Sequence, residues 1–360
     1  MKILYLMAID WNWIKQRPQF LVYELSKSNQ VDVLYLHEIF GKIQLQNNNA
    51  KVNNCNAIPA IPLRDRNIFF SGIQKVLFLL KIRKYKKYDA IWISYPSLIK
   101  YIPQKYQGIV IYDCMDYHAA MCKNKRIQYT INTTEKKLVM RADMIFASSN
   151  YLMQHMKKLG GYDKTILVRN GFSSDQISNL QHENKKEIYK IAYVGTIAEW
   201  FDFELLLNSL KIIRNIEYHL LGPKAMEIPQ NENIIYDGVC EHSELMNYGK
   251  TVDCMFMPFK VNDIIKAVDP VKLYEYISMG TCIISVYYEE IKQFEPFVYF
   301  YETLEEYSEL LNKLIKNGFQ PKYTKVMQEK FLKSSTWEAR GNIIEKEIVK
   351  LEFEKGLKNA

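Results

Sequence analysis

In Lys190-Ile191-Ala192-Tyr193-Val194-Gly195-Thr196-Ile197, residues 191–194 are a continuous apolar run that leads into a glycine. An apolar run with no polar alternation predicts a strand buried on both faces, and the glycine after it predicts a tight turn. The chain opens in the same way, Met1-Lys2-Ile3-Leu4-Tyr5-Leu6-Met7-Ala8-Ile9-Asp10. Working outward from these two runs, short apolar segments alternate with longer amphipathic ones. The predicted strands are 3–9, 31–37, 90–94, 109–112, 144–147 and 166–168, then 190–194, 217–221, 234–236, 254–257 and 282–285. The predicted helices are 18–26, 73–85, 135–141 and 150–159, then 203–213, 243–250 and 273–279. Continuously apolar strands separated by helices require a parallel sheet covered on both faces.

The chain has 360 residues, enough for two domains. We expect an α/β protein of two Rossmann-like doubly wound domains facing across a cleft. The boundaries are 1–172, a polar linker at 173–187, a second domain at 188–335, and a terminal helix at 336–360. Hydrophobic residues at 48% and charged residues at 24% exclude a disordered chain. No apolar run approaches the roughly 18 residues of a spanning helix. The opening run meets Asp10 and two tryptophans instead of small residues, so it reads as a first strand and not a secretory signal. A cytoplasmic protein is expected, with its six cysteines reduced, since they form no CxxC pair. Residues 1–172 carry 26 Lys+Arg and 11 Asp+Glu, whereas the whole chain carries 48 and 40. The basic half points to a polyanion such as a membrane surface, and no nucleic-acid reader motif is present.

Open α/β sheets bind ligands at the carboxyl ends of their strands, so the chemistry is sought there. Gly195 lets a phosphate approach the backbone, and Thr196 offers a hydroxyl. In Val268-Asp269-Pro270-Val271-Lys272-Leu273-Tyr274-Glu275-Tyr276, Pro270 suits a first helical turn and Asp269 an N-cap. Lys272 and the helix start can hold a diphosphate, and Glu275, on the same face, can accept hydrogen bonds from ribose. A surface Lys–Glu pair on a capped helix is the plainer alternative. Ile109-Val110-Ile111-Tyr112-Asp113-Cys114-Met115-Asp116-Tyr117-His118 ends in two acids and a histidine. Asp116 can accept a proton from a hydroxyl nucleophile and His118 can assist, while Asp113 can brace the turn. The loop Asp10-Trp11-Asn12-Trp13-Ile14-Lys15-Gln16-Arg17 carries aromatic and cationic side chains suited to a sugar or phosphate. Asp10, Trp13, Lys15 and Arg17 are its candidates, and one Trp is expected in the core. There is no GxGxxG and no P-loop, so a nicotinamide, flavin or P-loop enzyme is not expected.

Several of these segments, in order, resemble bacterial glycosyltransferases of the GT-B fold, in the family 4-like group of teichuronic-acid type. They are Trp11–Gln19, Tyr112–Asp116, Arg169-Asn170-Gly171-Phe172, Tyr193–Ile197, Asp269–Tyr276 and Ser335-Thr336-Trp337-Glu338-Ala339-Arg340. The resemblance implies a UDP-sugar donor on the C-terminal domain and a hydroxyl of a lipid-linked saccharide as acceptor on the N-terminal one. The setting would be bacterial surface polysaccharide or capsule synthesis. Catalysis would fall to Asp116, His118 and Lys272. The donor would contact Asn170, Gly195, Thr196, Asp269, Pro270, Lys272 and Glu275, with no metal and no cofactor. The final helix would return to the first domain. Ala267 stands where the family's motif has its first glutamate, and Glu199-Trp200-Phe201-Asp202 replaces its usual Arg/Lys pair, so donor and stereochemistry stay open. A nucleotide-sugar epimerase and a non-catalytic sugar- or nucleotide-binding protein are the rival readings. The segment 68–87, apolar early and basic late, suits either an anionic lipid surface or a buried helix with a solvated end.

Overall fold

The computed structural model describes all residues except 14, 39–51, 53, 83–84, 174–176, 181–185, 241–243 and 357–360. The chain divides into two compact units, Met1–Asn170 with Trp337–Ala360, and Gly171–Thr336. Of the basic run at 68–87, Arg83 and Lys84 lie outside the described residues, as do 174–176 and 181–185 of the expected linker. The division falls ahead of that linker. Its described residues belong to the second unit, where the Ser178 amide donates to Ser278 O at 2.9 Å and Lys186 pairs with Asp253 at 2.8 Å.

The first unit runs β1 (Lys2–Met7), α1 (Arg17–Leu25), β2 (Gln30–Glu38), β3 (Asn54–Ala60), α2 (Ile68–Ile82), β4 (Ala90–Ile93) and β5 (Ile109–Cys114). It continues with α3 (Lys125–Arg141), β6 (Met144–Ala147), α4 (Asn150–Met156) and β7 (Thr165–Leu167). The seven strands form one sheet in the order β3-β2-β1-β4-β5-β6-β7, and every pairing is parallel. Tyr5, Trp92 and Phe146 stack across it at 5.5 and 5.4 Å between ring centroids. Each contributes about 1.5–3 kcal/mol by burial.

The second unit runs β8 (Tyr189–Val194), α5 (Phe203–Ile212), β9 (Ile216–Leu221), β10 (Ile234–Gly238), α6 (Leu245–Gly249), β11 (Cys254–Met257) and α7 (Asp263–Lys266). Then come α8 (Val271–Met279), β12 (Cys282–Val286), β13 (Tyr299–Tyr301), α9 (Leu304–Asn317) and α10 (Lys325–Lys333). Its six strands are ordered β10-β9-β8-β11-β12-β13, again all parallel. Both strand orders reverse beside the first strand of the unit, between β1 and β4 and between β8 and β11. Such switch points open a crevice at the carboxyl edge.

The last helix, α11 (Trp337–Glu354), belongs to the first unit. Trp337 stacks on Phe20 of α1 at 4.8 Å, and Asn29 Nδ2 donates to Glu345 at 2.5 Å. Gly341 sits so close to α1 that a Cβ there would lie 2.7 Å from that of Glu24. All six cysteines are free thiols, with Cys114, Cys254 and Cys282 buried.

Candidate functional site

At the switch point of the second sheet, β8 is followed by Gly195, whose φ of +140° is a conformation that favours glycine. Its amide donates to Leu221 O at 2.8 Å. Gly222, at the end of neighbouring β9, has φ +136°, and a Cβ there would lie 2.3 Å from Gly195 O. The two backbones therefore meet at the carboxyl edge with no side chain between them.

Helix α8 is fixed over this edge by Tyr276. Its hydroxyl accepts from the Val194 amide at 3.0 Å and donates to Val194 O at 3.2 Å. One helical turn earlier, Lys272 consequently lies across Gly195: a Cβ on Gly195 would be 2.1 Å from Lys272 Cε and 2.9 Å from Nζ. Tyr193 supports the arrangement from below. Its ring lies 5.9 Å from Lys272 Nζ, and its hydroxyl donates to Thr196 O at 2.9 Å. Desolvation lowers the Lys272 pKa, and the Glu275 carboxylate partly offsets it. An ammonium at the start of a nine-residue helix, beside a bare glycine, can attract an anion.

The residues expected around it divide into two groups. Lys272, Gly195 and Thr196 come together, with Glu275 half-buried on the same helix. Asp269 does not present itself to a ligand. It is 1% exposed, accepts from the Tyr274 hydroxyl at 3.2 Å and from Gln293 Nε2 at 2.9 Å, and so braces the loop before α8. Nor is it the N-cap: Pro270 holds that position, with φ −83° and ψ 114°.

At the carboxyl edge of the first sheet, Arg17 is buried and turned inward. Nε reaches Asp113 at 3.0 and 3.2 Å, Nη2 reaches it at 2.8 Å, and Nη1 meets Val168 O at 2.8 Å and Asn170 Oδ1 at 3.3 Å. This fork ties α1, β5 and the segment after β7 together, and it is where the structure places Arg17, the residue expected at the acceptor. Asp113 is a brace. Asn170, expected at the donor, lies in the first unit and is engaged by Arg17 and, through its carbonyl, by Arg340 Nε at 3.0 Å.

Asp116, just past β5, is half-buried, and its carboxylate makes no hydrogen bond among the described residues. His118, expected to assist it, follows two residues later. It is 8% exposed and lies edge-on to Tyr95 at 4.9 Å, and its Nε2 is enclosed without a partner among the described residues. In the β1 loop, Trp11 is core and Trp13 half-buried, while Lys15 sits over the Phe20 ring at 4.4 Å. Asp10, 4% exposed, accepts from the Asn12 amide at 2.9 Å and meets His37 Nδ1 at 2.5 Å.

Sequence reasoning missed His37, which lies 27 residues from Asp10 with no local motif joining them. It also missed Gly222, although Leu221-Gly222 repeats the strand-then-glycine form of Val194-Gly195. Among the described residues, no group of three or more His, Cys, Asp or Glu side chains is placed to hold a metal ion.

No protein-family model matches the chain. Over 233 residues it is 25% identical to a Bacillus subtilis (strain 168) protein named as a teichuronic acid biosynthesis glycosyltransferase, TuaH. That match spans 59% of this chain and 59% of the relative. Among solved structures, sucrose-phosphate synthase from Thermosynechococcus elongatus superposes with a TM-score of 0.71 at 13% identity, covering 98% of this chain and 99% of that one. The Anabaena protein HepE, in complex with UDP and glucose, gives 0.67 at 11% identity over 97% and 99%. The lipopolysaccharide outer core galactosyltransferase WaaB gives 0.67 at 13% over 96% and 100%. Two parallel-sheet α/β units of seven and six strands, matched along nearly their whole length by these enzymes, make the fold of this chain that of the GT-B glycosyltransferases.

Proposed function

We propose that the protein is a glycosyltransferase that moves a sugar from a UDP-sugar to a hydroxyl of a lipid-linked saccharide in surface polysaccharide synthesis. The observation that carries this reading is the Lys272 ammonium lying across Gly195 at the switch point of the second sheet. A leaving diphosphate there would meet a fixed positive charge and the start of α8, so its developing charge needs no added metal. Glu275 would take the ribose hydroxyls, and Asp116, at the carboxyl edge of the first sheet, would accept the proton of an acceptor hydroxyl. The likeness to TuaH and to structures holding UDP supports the choice of donor and pathway class.

UDP is expected to raise the melting temperature of the wild type, because a ligand bound to the folded state alone stabilises it. The pH dependence has a defined sign. Lys272 has a lowered pKa in the free protein, and a diphosphate favours its charged form. UDP binding should therefore take up as much as about one proton when the pH is near or above the lowered value. UDP affinity should fall as the pH rises through it. Calorimetry in two buffers of different ionisation enthalpy reads the uptake, and equal heats in both would reject this role for Lys272. An epimerase would convert the donor alone, so UDP release that depends on an acceptor separates the readings.

The lipid-linked acceptor would be met at a membrane surface. Helix α2 buries Phe78 and Ile82 but leaves Ile68 92%, Phe69 69%, Val76 56% and Leu80 60% exposed. Lys75 and Lys81 lie on the same helix, and Lys86 and Lys87 lie on the turn after it. Among the described residues, no helix is long and apolar enough to cross a membrane. Apolar side chains with adjacent cations suit the interface of an anionic bilayer, where each cation adds about 1 kcal/mol. We expect binding to phosphatidylglycerol vesicles that weakens at least about tenfold in Leu80→Asp or in high salt. Sedimentation with vesicles checks this, and equal sedimentation of wild type and variant would reject it.

A further inference from the structure

The four connections that carry the first sheet from β3 to β7 all run the same way across it, whereas the connection from β1 to β2 runs the opposite way. Right-handed crossovers of opposite direction lie on opposite faces, so α2, α3 and α4 share one face, while α1 and the helix packed on it, α11, cover the other. Both α2 and α3 pack on the turn Pro96–Tyr101, as members of one layer do. That layer is one-signed. Helices α2 and α4 contain no acid. The one acid of α3, Glu135, is buried and accepts from the Tyr112 hydroxyl at 2.7 Å, with His155 Nε2 at 3.0 Å. In the opposite layer, α11 also exposes apolar Val349 and Phe353, but it exposes Glu338 and Glu354 with them.

An open groove of about 730 Å³ runs between α3 and the turn after α4. Tyr129, Lys136, Lys137 and Met140 line it from the helix, and Leu159 lines it from the turn. The helical positions recur at three- and four-residue steps, so they form one stripe, about 18 Å long from Tyr129 to Arg141. Tyr129 is 73% exposed and Met140 65%. Lys136 and Lys137 are exposed and make no ion pair among the described residues. Arg141 turns away to the loop before β5, donating to Tyr106 O at 2.8 Å. A cation in the last turn complements the negative end of the helix, which accounts for Arg141. Lys136 and Lys137 lie a turn earlier, where that effect has faded.

We propose that this groove binds an anionic phospholipid of a bilayer, with the phosphate at Lys136 and Lys137 and an acyl chain along Met140, Leu159 and Tyr129. Charge complementarity selects the occupant. A layer of helices with exposed apolar side chains, free cations and no surface acid matches a bilayer with negative headgroups. Asp163, just past the groove, is outweighed by Lys157 and Lys158 before it. An acidic protein helix would also meet the two lysines, but it would leave the apolar side of α2 in the same layer uncovered. A lipid held at α3 adds a second contact to that of α2 and fixes which face of the first unit meets the membrane. It does not depend on the transferase reading.

Dihexanoyl phosphatidylglycerol, used below its micelle concentration, tests the groove apart from any bilayer contact of α2. It should raise the melting temperature of the full chain by at least about 2 °C, because it binds the folded state. Lys136→Gln with Lys137→Gln should abolish the rise. Leu80→Asp should keep it, and so should Lys125→Gln with Arg126→Gln, which removes the same charge from α3 outside the groove. Without lipid these variants should melt with the wild type, as substitutions of exposed side chains usually do. Sedimentation with phosphatidylglycerol vesicles should weaken at least about tenfold in the groove variant. No rise in the wild type, or an equal rise in the groove variant, overturns the lipid site. An equal loss in the Lys125–Arg126 variant would leave only diffuse attraction and overturn it too. A rise matched by glycerol phosphate would assign the groove to a soluble phosphate instead. No response to lipid, with a response to an amphipathic glutamate–leucine helix, would give it to a protein partner. Each of these overturns the lipid and leaves UDP binding, on which the transferase reading rests, untouched.

Discussion

Replacing Arg17 by Met is expected to destabilise the first unit by about 3–5 kcal/mol, the usual cost of removing one partner of a buried ion pair. The reason is geometric. Asp113 is fully buried, and its carboxylate faces the guanidinium on two nitrogens. Without Arg17 that charge would be left in the sheet, and Val168 O would lose its donor. Lysine should not rescue the loss, because a single ammonium cannot reach Asp113, Val168 O and Asn170 together. Urea unfolding followed by tryptophan fluorescence reads the change, since Trp92 lies in the core of this unit. A shift under about 1 kcal/mol would show that Arg17 does not brace the edge.

The second large effect concerns turnover. Lys272→Ala is expected to lower kcat tenfold to a thousandfold, on the order of one lost charge-stabilising group. Gly195→Ala should act on the same ammonium, since its methyl would occupy the space of Lys272 Cε. It should also destabilise the second unit by about 1–3 kcal/mol through its backbone conformation. The double variant should be little slower than Lys272→Ala alone, because both changes act through one group. A fully multiplicative loss would mean that Gly195 has a separate role. Near-normal turnover in Lys272→Ala would remove the ammonium from the mechanism.

The fold could be read because its strands are continuously apolar and its helices amphipathic, two signals that depend only on local spacing. Helix α11 begins at Trp337. The strand β3 was missed because Asn54, Asn56 and Pro59 break any apolar run, and the strand lies at the sheet edge, mostly exposed. The first half of α3 was missed for another reason. Thr130, Ile131, Thr133 and Thr134 are β-branched, and Asn124 starts the helix by accepting from the Arg126 and Ile127 amides. Ile131 and Thr134 are buried, so tertiary packing overrides propensity there.

For the site, spacing along one helix placed Lys272 and Glu275 on a common side, but it could not show which acids turn inward. Asp113 and Asp116 look alike in sequence, yet one is sealed by Arg17 and the other is open. The Asp10–His37 pair arises only when β1 and β2 lie side by side, so no local pattern announces it.

The return of α11 to α1 carries a consequence for biosynthesis. The first unit starts before the second and closes after it, because the Phe20–Trp337 stack and the Asn29–Glu345 bond wait until residues 171–336 have been made. On the ribosome, the second unit can close while the earlier one still shows an uncovered flank. A nascent chain stalled before Trp337 would expose the apolar surface of α1 to chaperones and proteases.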